Sequence, residues 1–333
     1  MKKILKLLVM LLLLQIVLVS CDEDEDSPLR YDYFRDHAGF SNSLYNEYVY
    51  DRSPYSSVKK ATYKYTSDGW NYTTISNYDD SLYTGGSYSD SDGDKYNSNR
   101  EWDGNSFITY NDDPSTDPVS NSGTIDKKGL LTSIDYTNSS SYTYKYDGWD
   151  LVEYSSKDEY DDSYAYTAKY TFDGDLPETK TSLQTSDGTV YYSEYYETKT
   201  EYKNDGDRVT SSAVYSRSSS SSEFELREET TYEYEDGNVT KVITENSYDS
   251  YEIILLTWKD NLPVEQKMYR GCDSADDCTD ENLDSVIKYE WSKKRLVKTT
   301  RTSYTHSDEY DPDTGDYIDT ITENTTVTER AYE

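Results

Sequence analysis

Aromatic residues alternate with polar ones along most of this chain, and the alternation repeatedly runs into an Asp-Gly pair. Eight of the 15 glycines directly follow an aspartate. Alternation places every second side chain on one face of an extended strand, and Asp-Gly suits the two positive-φ positions of a type I′ turn. The pattern therefore predicts an all-β chain built from consecutive β-hairpins.

The hairpin motif is repeated. Its clearest copies centre on Asp147-Gly148, Asp173-Gly174 and Asp236-Gly237, each with aromatic residues before the turn and an aliphatic residue after it. From Asp147 to Lys293 the successive turns lie 26, 32, 31, 24 and 33 residues apart. Such a repeat holds two strands and a return loop. We therefore expect an antiparallel meander of repeated hairpins that forms a curved, open or partly closed sheet.

These motifs resemble the YD repeats of the Rhs family and, more loosely, the YD-like repeats of Bacteroidota lipoproteins. The resemblance covers residues 124–300. Family repeats usually follow the turn with Gly-Arg-Leu, and here Arg208-Val209 and Arg295-Leu296 approach that pattern. The resemblance implies a β-hairpin repeat protein and carries no activity with it.

Tyrosine has to supply the core of such a sheet. Only 34% of the residues are hydrophobic and 30% are charged, a composition that by itself favours disorder. The 39 Tyr and 5 Trp offset this deficit, because each ring can bury ~150–250 Å² while its polar end reaches water. We expect a thin, half-hydrated sheet.

The net charge limits the partners. A formal charge of -33 at pH 7 opposes contact with nucleic acid and with anionic headgroups. Nucleic acid is therefore excluded as a partner, whereas a basic protein, a divalent cation or a neutral glycan remains compatible.

The amino-terminal segment predicts a targeting signal. Lys2, Lys3 and Lys6 precede or interrupt an apolar run that is too short to span a membrane comfortably. Leu18-Val19-Ser20-Cys21 then resembles the lipobox of a bacterial lipoprotein. The resemblance implies a signal peptide over residues 1–20 and a lipidated Cys21 that anchors the mature chain to the membrane.

Residues 21–50 are expected to form the lipidated cysteine, an acidic tether and a linker, ahead of a tyrosine-rich hairpin domain over residues 51–333. Asp22-Glu23-Asp24-Glu25-Asp26 repels itself into a solvated tether. The run also resembles the surface-export signal of Bacteroidota lipoproteins, which implies the outer membrane and the cell surface. In other bacterial groups an aspartate after the lipidated cysteine signals inner-membrane retention.

Two cysteines remain once Cys21 carries the lipid. An even pair in an oxidising compartment predicts one local disulfide between Cys272 and Cys278, with two free thiols as the alternative.

We predict no catalytic residues, no cofactor and no metal site. Asp90-Ser91-Asp92-Gly93-Asp94 partly matches a calcium loop, but Lys95 replaces the expected glycine and an acidic hairpin loop is the simpler interpretation. Trp70 and Trp149 directly follow turns, where burial is hardest, and are candidate ligand-binding residues. Cross-strand pairing for stability is the alternative role for any of the aromatic rings.

The sequence thus predicts a non-enzymatic, surface-exposed lipoprotein that binds a glycan or a protein partner through an aromatic-rich β surface. The alternative is a structural or assembly subunit of a cell-envelope complex.

Overall fold

A computed structural model describes residues 58–333, except for 68, 80–81, 113–118, 128–129, 138–139, 149, 159–164, 175, 187–194, 207, 249, 294 and 311–316. The signal peptide, Cys21 and the acidic tether lie outside the described residues. Within these described residues there are twenty strands and one 3-10 turn, Asp280–Asn282. The strands are β1 Lys60–Ser67, β2 Trp70–Asp79, β3 Leu82–Asp90, β4 Lys95–Asp103, β5 Ser106–Asn111, β6 Val119–Ile125, β7 Leu131–Tyr136, β8 Ser140–Asp147, β9 Asp150–Asp158, β10 Ala165–Asp173, β11 Leu176–Thr185, β12 Tyr195–Asp205, β13 Arg208–Arg217, β14 Glu225–Glu235, β15 Asn238–Asn246, β16 Tyr251–Lys259, β17 Leu262–Cys272, β18 Leu283–Ser292, β19 Arg295–Tyr310 and β20 Tyr317–Tyr332.

The sheet is an antiparallel meander that closes on itself. Each strand pairs with the next along the chain, and β20 pairs with β1 over the register Ala61↔Tyr332 to Ser67↔Thr326. The backbone N–H groups of Lys59 and Lys60 both donate to the carbonyl of Glu333, at 2.7 and 3.1 Å. The predicted meander of hairpins is confirmed, and its curvature is complete enough to leave no unpaired edge between β1 and β20.

The closed sheet is wide. Twenty strands spaced ~4.8 Å apart and tilted by ~40° give a round barrel of ~40 Å diameter, too wide for wall side chains alone to fill. Consistent with this width, each of the three buried clusters is formed by strands close together in the sheet. One contains Phe107, Tyr144 and Tyr170, another Val209, Tyr232 and Val239, and the third surrounds Ala61. The buried residues therefore form separate clusters along the wall of the barrel.

The two faces of the sheet differ in chemistry. We call the face that carries Tyr72, Tyr144 and Tyr232 the tyrosine face. The opposite, charged face carries cross-strand ion pairs, for example Lys145 and Lys169 with Glu153 of the intervening strand. The hydrogen bond from Lys145 holds the pKa of Glu153 below its usual value. Alternation of side chains along each strand, shifted by one residue at bulges such as the one between Lys145 and Tyr146, produces this division.

The two rims of the barrel differ in their connections. Eight of the nine connections from an even-numbered to an odd-numbered strand contain two residues, and we call this the tight-turn rim. The opposite rim carries connections of up to ten residues, such as 273–282, and we call it the long-loop rim. Strand β1 starts and β20 ends at the tight-turn rim, so both ends of the described chain lie there.

The glycine turns show two registers. Asp236 and Gly237 have φ of 50° and 84° and form the loop between paired Glu235 and Asn238, which confirms the predicted type I′ turn. At Gly148 and Gly174 the preceding aspartate is instead the last strand residue, and the glycine opens the two-residue loop with φ of 66° and 61°. The positive φ is as predicted, but the assignment of both loop positions to Asp-Gly is wrong at these two turns.

An aromatic side chain near many of the tight turns ties neighbouring hairpins together. The ring lies near the end of an even-numbered strand, and its N–H or O–H donates to a backbone carbonyl near the start of the strand before it. We call this contact the aromatic clamp. The clamps are Trp102 to Tyr83 (3.0 Å), Tyr146 to Leu131 (2.9 Å), Tyr234 to Val209 (2.7 Å), Trp258 to Val239 (2.6 Å), Trp291 to Pro263 (2.7 Å) and Tyr332 to Leu296 (3.1 Å). The aromatic-turn-aliphatic motif of the sequence is therefore a wall-building contact that recurs around the barrel.

No helix within the described ranges is long and apolar enough to cross a membrane.

Candidate functional site

The tyrosine face changes character from one rim to the other. Near the tight-turn rim its side chains are buried, as for Leu151 and Val239, each 1% exposed. Near the long-loop rim its rings are open to solvent: Trp70 is 38% exposed, and Tyr136 and Tyr196 are each 40% exposed. The buried half near the tight-turn rim therefore forms the packed part of the wall, and the partly exposed rings form an aromatic band at the long-loop rim.

One part of this band is a stacked ladder on β1 to β4. Ring centroids are 4.9 Å apart for Tyr65 and Tyr72, 5.6 Å for Tyr72 and Tyr88, and 4.8 Å for Tyr88 and Tyr96, with interplanar angles of 12° to 26°. Trp70 leans on Tyr72 at 5.1 Å and 54°. Because the inner rings use their faces on one another, the ladder leaves mainly ring edges and its two ends for a ligand.

The acidic loop between β3 and β4, two strands of this ladder, is organised by the carboxylate of Asp90. Asp90 Oδ1 accepts the backbone N–H groups of Asp92, Gly93 and Asp94 at 3.0 to 3.1 Å, and Asp90 Oδ2 accepts the hydroxyl of Tyr88 at 3.0 Å. Burial and this bond to Asp90 raise the pKa of Tyr88 to about 12. The side chain that would be the first calcium ligand is thus engaged in the turn, and the described residues contain no group of three or more metal-ligating side chains.

A second part of the band, on β7 to β10, has a different geometry. Tyr142 and Tyr154 stack at 6.0 Å and 23°, but Tyr154 and Tyr166 are tilted by 59° at 5.8 Å, and Tyr136 meets Tyr142 edge-on at 88°. The tilts open a groove with a volume of about 410 Å³ near the long-loop rim. We call it the Tyr154 groove.

A buried cation lies between the two aromatic groups. The Arg100 guanidinium is 3.8 Å from the centre of the Phe107 ring and donates from Nε to Thr109 Oγ1 at 2.8 Å. The ring of Phe107 in turn lies against Gly123, where an added Cβ would come within 2.6 Å of it. These contacts link β4, β5 and β6, because the guanidinium stacks on the Phe107 ring and that ring packs on Gly123.

The predicted site residues are placed as follows. Trp70 lies on the tyrosine face at the long-loop rim, next to the stacked ladder. Trp149 and the lipidation residue Cys21 lie outside the described residues. Cys272 and Cys278 form the predicted disulfide, which closes part of the β17–β18 connection at the long-loop rim.

The sequence did not single out the tyrosines of the Tyr154 groove. Tyr142, Tyr154 and Tyr166 alternate with non-aromatic residues, as the tyrosines of the ladder do. Alternation alone therefore does not distinguish the groove tyrosines from the ladder tyrosines. Strand parity places all of them on one face, but the ring tilts depend on the neighbouring strands. Arg100 gave no signal either, because a single arginine in a polar strand reads as a surface residue.

Comparisons with known proteins assign no family to this chain. No family model matches the chain, and no curated protein matches it. A solved structure titled "Crystal Structure of TcdB2-TccC3-TEV" is similar, with a TM-score of 0.22 and 10% sequence identity over 76% of this chain. This chain spans 18% of the length of that structure.

Proposed function

We propose that this protein is a non-enzymatic lipoprotein of the outer membrane, displayed at the cell surface, that binds a neutral glycan or a protein partner through the tyrosine face. The observation that carries the proposal is the position of the half-exposed aromatic band. Trp70, Tyr136 and Tyr196 lie on one face, at the long-loop rim, on β2, β7 and β12, where partly exposed rings can contact a partner.

The anchor supports the same orientation. Cys21 precedes the start of β1 in the chain, and β1 starts at the tight-turn rim. A lipid on Cys21 would tether the barrel by that rim and leave the long-loop rim as the more distant one. Its YD-like repeats also accord with a Bacteroidota-type surface lipoprotein.

Charge favours a neutral or basic partner. The chain carries 66 acidic and 33 basic residues, so an anionic polymer meets net repulsion at long range. Nucleic acid is excluded from the proposal on this ground, whereas a neutral polysaccharide pays no such cost.

A specific observation favours the alternative, a structural or assembly subunit of an envelope complex. In the stacked ladder and the aromatic clamps, the rings contact one another or the backbone of the wall, which supports a structural role for them. In that case the loops of the long-loop rim, including the disulfide loop and the 85% exposed Tyr248, would dock the neighbouring subunit.

Glycan binding, protease accessibility and co-purification together test the proposal. The lipidated, detergent-solubilised protein is applied to an array of neutral and acidic glycans, and intact cells are treated with an impermeant protease. We expect binding confined to neutral glycans and digestion without lysis. Protection in intact cells would refute surface display, and co-purification with a stable envelope partner without any glycan binding would favour the assembly subunit.

A further inference from the structure

The Tyr154 groove combines flat rings with paired polar groups. Tyr142, Tyr154 and Tyr166 lie on three consecutive strands and form its aromatic wall. The hydroxyls of Ser140 and Ser156 and the carboxylate of Asp158 line the same cavity. All six side chains lie on the tyrosine face, because the pairs Ser140↔Asp158, Tyr142↔Ser156 and Tyr144↔Tyr154 have the same parity as Tyr166↔Ser156.

The ring tilts distinguish this groove from the stacked ladder. In the ladder, neighbouring rings lie within 12° to 26° of parallel and cover one another's faces. In the groove, Tyr142 stacks on Tyr154 at 23°, but Tyr166 is turned by 59° from Tyr154, so these two rings do not cover one another's faces as the ladder rings do. A flat apolar surface beside hydroxyl and carboxylate oxygens suits a ligand with one apolar face and a rim of hydroxyls.

The volume of the groove and the charge of its lining further restrict the class of ligand. A volume of about 410 Å³ is at the lower end of the ~300–1,000 Å³ typical of ligand sites. Asp158 lines the groove from the tyrosine face, whereas Lys157, the residue before it in β9, belongs to the charged face. The groove therefore lacks the excess of cations that an anionic ligand needs in a chain of net charge -33.

We propose that the Tyr154 groove is a carbohydrate subsite that takes one pyranose ring of a neutral glycan. The pyranose stacks its C–H face on the aromatic wall, and its hydroxyls exchange hydrogen bonds with Ser140, Ser156 and Asp158. This inference rests on the proposed function and assigns it to one site among the several aromatic surfaces of the barrel.

The test uses the full-length lipidated protein in detergent and neutral oligosaccharides as probes: cellohexaose, mannohexaose and xylohexaose, with hexagalacturonate as the acidic comparison. Affinity is measured by calorimetry for the wild type and for Tyr142→Leu and Tyr166→Leu, which keep apolar bulk but remove the flat ring. Tyr166→Phe keeps the ring. Tyr72→Leu, in the stacked ladder on the same face, is the matched control. Circular dichroism melting checks that each variant is folded.

We expect at least one neutral probe to bind, and each of the two groove Leu variants to raise its Kd about tenfold. Tyr166→Phe and Tyr72→Leu should bind as the wild type does, and hexagalacturonate should not bind. If a neutral probe binds but the groove variants leave Kd unchanged, or Tyr72→Leu weakens binding equally, the groove assignment is wrong while glycan binding stands. If no neutral probe binds, both the subsite and the glycan form of the proposed function fall.

Discussion

Removal of one clamp hydrogen bond tests how the barrel wall is built. In Tyr234→Phe the ring stays in place while the hydroxyl that donates to the Val209 carbonyl at 2.7 Å is lost. The hydrogen bond itself contributes ~0.5–1.5 kcal/mol net, and a buried acceptor left without a donor costs ~1–3 kcal/mol. Val209 is only 4% exposed, so water does not readily replace the phenol. We expect a loss of ~1–2 kcal/mol in the free energy of unfolding.

The reverse change is available at one turn. Phe172 occupies the clamp position of its hairpin, since it pairs with Pro177 across a bulge as Tyr146 pairs with Leu151. The Phe172 ring has no hydroxyl group to donate. Phe172→Tyr should therefore add a hydrogen bond to the carbonyl of Leu151 and stabilise the protein by up to ~1 kcal/mol.

Urea denaturation followed by tryptophan fluorescence measures both effects. With an m value of ~3 kcal/mol/M, the expected change in midpoint is a decrease of ~0.3–0.7 M for Tyr234→Phe. Tyr248→Phe is the control, because Tyr248 is 85% exposed and lies in a loop rather than at a clamp position. Equal midpoints for Tyr234→Phe and Tyr248→Phe, together with no gain from Phe172→Tyr, would refute the idea that the clamps stabilise the wall.

Three further outcomes follow from the sequence and the structure. Cys21→Ser should abolish labelling by an alkyne fatty acid, and persistent labelling would contradict the lipoprotein assignment. Gly174→Val should destabilise by ~1–3 kcal/mol and Gly174→Asn by much less, because an added Cβ meets no atom within 4 Å and the cost comes from the φ of 61° alone; equal denaturation midpoints would be inconsistent with that cause. Burial raises the pKa of Tyr88 and of Tyr289 to about 12, so their contribution to stability is complete below pH ~10 and is lost as the pH rises towards 12; an absorbance titration in which all tyrosines ionise near pH 10 would oppose this.

Much of the wall could be predicted from the sequence. Alternation of aromatic and polar residues specifies strands and faces locally, and the positive φ at Gly148 and Gly237 follows from turn chemistry. The loop starts two residues after Tyr146 and two residues after Tyr234, and the same bulge precedes both turns. The register therefore follows the aromatic residue and not the Asp-Gly pair on which the prediction relied.

Closure and the candidate site needed the structure. The pairing of Ala61 with Tyr332 joins residues at opposite ends of the chain, and no local pattern encodes how far a meander curves before its ends meet. Likewise Tyr72 and Tyr154 look alike in sequence, yet one lies in a stack of near-parallel rings and the other beside a groove. The difference arises from neighbours on adjacent strands.

The contact of Lys60 with Glu333 has a consequence for how the protein is made. A meander that lacks β20 has two unpaired edges, β1 and β19, and each offers a row of backbone groups to any other extended chain. The barrel therefore closes only when β20 has been synthesised, and until then both edges can pair with a second copy of the chain. A chain truncated before residue 317 should leave β1 and β19 unpaired and form oligomers of various sizes. In the full chain β20 pairs with both strands, so neither edge is open.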